Sequence, residues 1–465
     1  MEKQERSSFS SRVAFVLAAA GSAVGLGNLW RFPYLAARYG GGIFLLVYLI
    51  LVVTFGFSLM ITEFAIGRKT KLSCIGAYGA LDKRFSFLGW IAAFVPLIIT
   101  PYYCVIGGWV MKYLWTFISG GALEAADNGG FFSRFISFDA GSLPATMLNF
   151  SGPTPWFVLF VLITGLVVIF GVQKGIENAS RLMMPVLAVL IVVIALYSLT
   201  IPGALAGLKY YLMPDFSQFS ASTVLGACGQ MFYSMSLAMG ITITYGSYMP
   251  KENLLEHSVT QIEIFDTLFA FFAGLMIIPS VIAFNGGDPS QVNSGPSLMF
   301  ISLPMVFDSM KFGTVIGAVF FLLVLFAALT SSIALMETLA SVIMDKFKLK
   351  RIPATLIIIA VCLVVGMLSC LGYGPWESVT IIGMQFLDFF DFLTNSVMMP
   401  IAAIATCLLV SRVIGVAKIE QEVTNGGHPF RRKVIFQFMI QYLCPIFATI
   451  ILISSVANAF GWISM

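Results

Sequence analysis

Apolar residues run through this chain in long blocks separated by short polar connections. No period of 2 or 3.6 divides the blocks into a wet and a dry face, so each reads as a helix surrounded by lipid or by other helices. A helix needs ~20 apolar residues to cross a bilayer. Windows of that length predict eleven crossings, numbered here as spans 1 to 11: 12–37, 42–67, 87–118, 155–172, 180–201, 222–248, 258–284, 312–345, 353–371, 378–411 and 433–461. The expected fold class is an all-α membrane protein, one polytopic domain over residues 1–465. Two blocks are flawed as helices. Span 1 contains Gly21-Ser22-Ala23-Val24-Gly25-Leu26-Gly27-Asn28, and span 6 contains Tyr233-Ser234-Met235-Ser236-Leu237-Ala238-Met239-Gly240. Glycine, serine and asparagine in such density disfavour helix. The two flaws correspond if spans 1–5 and 6–10 are inverted repeats and span 11 is additional. Interrupted segments at matching positions point to a transporter binding site. Among the connections, residues 295–304 are too apolar for a free loop and are expected to fold back as a lid.

Composition narrows the class. The chain is 59% hydrophobic and 10% charged, with mean hydropathy +0.94, against about 25% charged in soluble proteins. A soluble domain, a disordered chain and a disulfide-rich module are excluded, and continuous apolar runs exclude an outer-membrane barrel. The net charge of +4 says little, but its distribution says much. Of 26 Lys and Arg, twenty fall in one alternate set of connections and three (Arg134, Lys209, Lys311) in the other. By the positive-inside rule the N-terminus is expected in the cytoplasm and the C-terminus outside. Seven cysteines show no paired spacing, and His257 and His428 lie apart in polar connections. No enzyme centre, organic cofactor or nucleic-acid surface is expected, nor a cleavable signal peptide.

The breaks suggest chemistry. Unwinding a helix in hydrocarbon strands amides and carbonyls that are costly unless something binds them. Freed carbonyls suit a small hard cation, and a new helix N-terminus suits a carboxylate. A broken pair is therefore a device for holding a cation beside a carboxylate-bearing solute. The alternative is a close-packing seam; Gly21 and Gly25 alone would fit that, whereas Asn28 and the span-6 hydroxyls favour the cradle. In span 8, Ala327, Thr330 and Ser331 share one helix face and could complete an oxygen cage with the carbonyls of Gly21 and Val24, or bond back to their own helix. Asp266 lies within span 7, where a carboxylate is functional by default; its expected partner is a cation shared with Asn28 and Ser234. Arg31 with Asp391, and Arg6 with Asp345, could close the site from outside and inside.

The run Ala20-Gly21-Ser22-Ala23-Val24-Gly25-Leu26-Gly27-Asn28-Leu29-Trp30-Arg31-Phe32-Pro33-Tyr34 resembles the first-helix signature of the neurotransmitter:sodium symporter family. Glu63-Phe64-Ala65-Ile66-Gly67-Arg68, Tyr102-Tyr103, Gly175-Ile176-Glu177, Gly229-Gln230-Met231-Phe232, Thr244-Tyr245-Gly246-Ser247-Tyr248 and Leu329-Thr330-Ser331-Ser332 are similar too. That family is itself a standard instance of inverted repeats with broken helices. Eleven spans resemble its shorter bacterial members, especially the multi-hydrophobic-amino-acid and tyrosine transporters.

The resemblance implies two sodium sites. One would use the Ala23 carbonyl, Asn28, Ser234, Asp266 and the substrate carboxylate; the other, the carbonyls of Gly21, Val24 and Ala327 with Thr330 and Ser331. It implies a substrate carboxylate on the amides of Leu26 and Gly27 and the Tyr103 hydroxyl. The ammonium would meet carbonyls of Ala23, Tyr233 and Ser234 with the Ser236 hydroxyl. Ile99, Tyr103, Tyr233, Ser236, Met239, Ser331 and Leu335 would line the side-chain pocket. Gates would be Arg6–Asp345, braced by Tyr248, and Arg31–Asp391, with Gln230 beside Arg31. Gly175 and Pro185 match a pattern associated with unwinding of span 5. Departures inform as well. Gly25 stands where monoamine carriers place Asp, which implies a substrate bringing its own carboxylate. Asp266 stands where many members have Asn, which implies chloride-independent uptake. Phe9 replaces a tryptophan beside Arg6, implying a looser inner closure. The function implied is sodium-coupled symport of neutral, hydrophobic L-amino acids by a monomer or weak homodimer in a bacterial inner membrane. A proton-coupled carrier of the same fold and a non-transporting amino-acid sensor stay open as alternatives.

Overall fold

The structure, a computed structural model, describes residues 7–288, 292–293 and 295–462. Every named element among the described residues is a helix. Among the described residues eight helices are long and apolar enough to cross a membrane, and Arg12–Ala23 with Gly27–Arg38 makes a ninth crossing bent by 52°. Span 4 is the shorter helix Thr154–Ile169, and span 6 is two pieces, Ala221–Ser234 and Ile241–Tyr248. Helices thus occupy all eleven expected positions, though length and composition alone identify eight or nine crossings. Span 10 starts at Phe386 rather than 378. The left-handed Ile382 and Gly383 form a turn in which Ile381 and Met384 bond each other, so the helix begins only after it.

Local signals set the helix starts. Ser11 accepts from the Ala14 amide, and Ser220 with Thr223 forms a capping box. Span 5 has a wide turn at Val172–Glu177, then runs as unbroken helix from Asn178 to Ser198, Pro185 included. Span 8 is buried continuously from Thr330 to Val342, whereas span 11 is mostly peripheral. Span 1 packs on span 7 (Leu255–Phe284) and span 8, span 6 packs chiefly on span 2, and span 3 (Ser86–Ile118) packs along span 8. The expected lid is short helical turns over Gly295–Asp308, with Leu298, Met299 and Phe300 buried. The Tyr113 hydroxyl donates to the Phe300 carbonyl at 2.7 Å, and the Phe300 ring stacks on Phe132.

Candidate functional site: two helix breaks and their oxygen clusters

Both interruptions are real. Span 1 leaves helix at Val24, whose backbone is extended, and span 6 is non-helical over 235–240. Ser236 and Ala238 hold left-handed φ of 53° and 60°, which costs about 1–2 kcal/mol for each non-glycine residue. Side chains from elsewhere hold this backbone in place. Glu63 of span 2 accepts from the Ala238 amide at 3.0 Å and from the Thr242 hydroxyl. Ser236 donates to the Ser22 carbonyl at 2.9 Å, tying one break to the other. Gln230 donates to the Gly27 carbonyl at 3.0 Å.

Two oxygen-rich clusters flank span 1. In the first, Asn28 Nδ2 lies 2.7 Å from Asp266 Oδ1 and 3.0 Å from Ser234 Oγ, while Ser234 donates to Asp266 at 2.8 Å. Tyr48 of span 2 reaches Asp266 Oδ2 at 3.4 Å. Asn28, Asp266 and Tyr48 are all fully buried. In the second, the Ser331 hydroxyl stands 3.2 Å from the Val24 carbonyl and 3.4 Å from that of Gly21, and Thr330 Oγ1 lies 3.0 Å from the Ala327 carbonyl. Thr330 thus does bond back to its own helix, both to the Phe326 carbonyl at 3.1 Å and to the Ala327 carbonyl expected in the cage. Both donor sets are oxygens of the kind a hard cation takes; for the first, Asn28 would present Oδ1 rather than Nδ2. The residues fit sodium ions.

Between the clusters is a cavity of about 30 Å³ lined by Ala23, Leu26, Gly27, Ile99, Tyr103, Tyr233, Ser234, Ser236, Met239, Ser331 and Leu335, together with Ser22, Gly25, Asn28 and Ile241. Every residue expected to touch substrate is brought there. No charged side chain lines it. The Leu26 amide lies 3.3 Å from the Tyr103 hydroxyl, the pair expected to grip a carboxylate. Glycine is required by close approach. A Cβ at Gly25 would meet Ser331 Oγ at 2.7 Å and the Tyr103 hydroxyl at 2.9 Å, and one at Gly27 would strike the Tyr233 ring at 2.4 Å. An Asp at position 25 has no room here.

Arg31 and Asp391 are not in direct ion-pair contact. The Arg31 guanidinium sits 5.3 Å from the Tyr233 ring centre, while Asp391 accepts from Tyr102 at 3.1 Å and from Asn395. Arg6 lies outside the described residues; Asp345 accepts from the Ser73 amide at 2.7 Å. Phe9 packs into the inner side. It is buried, edge-on to Phe15, Tyr245 and Tyr248, and its amide donates to the Tyr248 carbonyl at 3.2 Å. Tyr248 donates to Glu337 at 2.6 Å, and Glu337 pairs with Arg351 at 2.5 Å.

Sequence reading passed over Tyr48 and the Glu337–Arg351 pair, and gave Glu63 no role of its own. An acidic residue inside span 2 was the available signal for Glu63. Tyr48 gave none, being one aromatic among many in an apolar run.

With this geometry in hand, the chain belongs to the sodium:neurotransmitter symporter family, whose model matches residues 6–122 and 131–461. It is a multi-pass membrane transporter of a sodium-dependent family, not an enzyme. A Bacillus subtilis protein described as an uncharacterized sodium-dependent transporter is 34% identical, covering 98% of each chain. A second protein so described, from Methanocaldococcus jannaschii, is 33% identical over 98% of this chain and 92% of its own. The crystal structure of MhsT in complex with L-phenylalanine superposes with a TM-score of 0.86 at 35% identity, covering 97% of this chain and 100% of that one.

Proposed function

We propose that this protein is a sodium-driven symporter of neutral, hydrophobic L-amino acids. In this reading it works by alternating access with two sodium ions and without chloride, in a bacterial inner membrane. The observation that carries it is the uncharged cavity lying directly between the Asn28–Asp266 and Thr330–Ser331 oxygen clusters. A substrate there meets the Leu26 amide, the Tyr103 hydroxyl and sodium at its carboxylate end and Ile99, Met239, Ile241 and Leu335 at its side chain. The L-phenylalanine in complex with MhsT is of this class.

Coupling follows from the shared ligand. The substrate carboxylate completes the first sodium's shell, so each strengthens the other's binding by the same factor. A potential of 100 mV adds about 2.3 kcal/mol per positive charge carried inward. Asp266 supplies a fixed negative charge beside the ion, which removes the need for a bound chloride.

The test is uptake of tritiated L-phenylalanine and other neutral amino acids into proteoliposomes under an imposed sodium gradient. Uptake should collapse when potassium replaces external sodium and persist when gluconate replaces chloride. Undiminished uptake without sodium would favour a proton-coupled carrier.

A further inference from the structure

Arg432 sits at the cytoplasmic base of span 11, the helix outside the repeats, yet its side chain reaches between spans 2 and 7. Its guanidinium forms a two-pronged pair with Glu263 at 2.8 and 3.1 Å and donates to the Thr260 hydroxyl at 2.5 Å. It also donates to the Val53 carbonyl at 3.3 Å and lies 3.4 Å from the Phe57 ring centre. Val53 falls in a wide turn of span 2, Val52–Gly56, which loosens the helix's own bonding there. At the same base, Glu256 accepts from the amides of Arg431 and Arg432 at 2.8 and 3.0 Å. The Glu263 side chain is 5% exposed and that of Arg432 21%. Glu256, Glu263, Arg431 and Arg432 are the charged groups of this joint.

Its position matters more than its strength. Glu263 is one helical turn below Asp266 on span 7, and Val53 and Phe57 lie on span 2 below Tyr48, which donates to Asp266. Arg432 therefore joins the two helices that bring the Asp266 carboxylate and its Tyr48 partner together. A cation site needs its carboxylate held to a fraction of an ångström, and the groups orienting a metal ligand affect affinity by about 10–100-fold. A planar five-donor fork can make all four of these bonds at once, whereas an ammonium has only three donors and no fixed plane.

We propose that Arg432 is a positioning residue for the sodium site built on Asp266, so that span 11 sets sodium affinity from outside the repeats. This rests on the reading of Asn28, Ser234 and Asp266 as a sodium site, and the experiment separates the two. Sodium itself is the probe. The thermal unfolding midpoint of the purified full chain is followed as sodium replaces choline, in a Thr330→Ala background that weakens the other site. Arg432→Gln and Glu263→Gln should each raise the sodium concentration giving half the stabilisation about tenfold. Arg432→Lys should fall between these and the parent. Thr260→Val, which removes one bond without stranding a charge, should shift it in the same direction by a smaller factor and decides the matter if the charge variants do not fold. A lower midpoint at every sodium concentration with unchanged half-saturation would make the joint merely structural and overturn the proposal. If Asp266→Asn leaves the sodium response intact, the site reading has failed instead.

Discussion

At the scale of single residues the site depends on absences as much as on groups. Gly25 leaves space that Ser331 and Tyr103 fill, and Gly27 lets the Tyr233 ring lie against the backbone. Gly25→Ala would overpack that junction by about 1–3 kcal/mol. We expect a folded protein with at least tenfold weaker amino-acid binding, read by equilibrium dialysis with tritiated L-phenylalanine. Asp266 is the converse case, a buried carboxylate whose partners Asn28, Ser234 and Tyr48 are all neutral. A buried charge without a counter-charge is costly, so a cation there gains from its presence. Asp266→Asn should raise the sodium concentration for half-maximal uptake by tenfold or more, corresponding to about 1.4 kcal/mol. These residues were legible in the sequence because polar groups at membrane depth are few. Tyr48 was not, since its role depends on a helix more than two hundred positions away.

At the scale of elements, glycine and hydroxyl density located both breaks, but not what supports them. In span 6 the strained backbone at Ser236 and Ala238 persists because Glu63 and the Ser22 carbonyl hold the groups it leaves unpaired. Glu63→Ala would leave the Ala238 amide and the Thr242 hydroxyl without acceptors, each costing about 1–3 kcal/mol. The expected outcome is a lower unfolding midpoint together with weaker amino-acid binding; loss of stability with unchanged binding would show that the break is held otherwise. Span 5 is a different case. Gly175 and Pro185 weaken it on paper, yet it is helical beyond Asn178. Propensity is a weak prior against tertiary packing, and Met184 lies against span 1 beside Gly21.

For the whole molecule, the alternation of Lys and Arg predicts a cytoplasmic N-terminus, and the seven native cysteines are all buried and free. Buried thiols give little background labelling, so single introduced cysteines can test the arrangement. Gly141→Cys, in an exposed loop, should react with a membrane-impermeant maleimide in intact cells. Asn425→Cys should react only after permeabilisation. The resemblance to the family named nearly every residue around the cavity; by itself the sequence determined the membrane, the positions of the helices and the two breaks. Those follow from local composition and from the high cost of polar groups in hydrocarbon, and both can be read one segment at a time. Only the tertiary structure decided that Arg31 lies on Tyr233 rather than on Asp391, that Glu63 supports span 6, that Tyr48 faces Asp266 and that Arg432 reaches spans 2 and 7. Each is a pairing between distant segments. A side chain with several possible partners takes the one that packing brings within hydrogen-bond range, and no single segment encodes that choice.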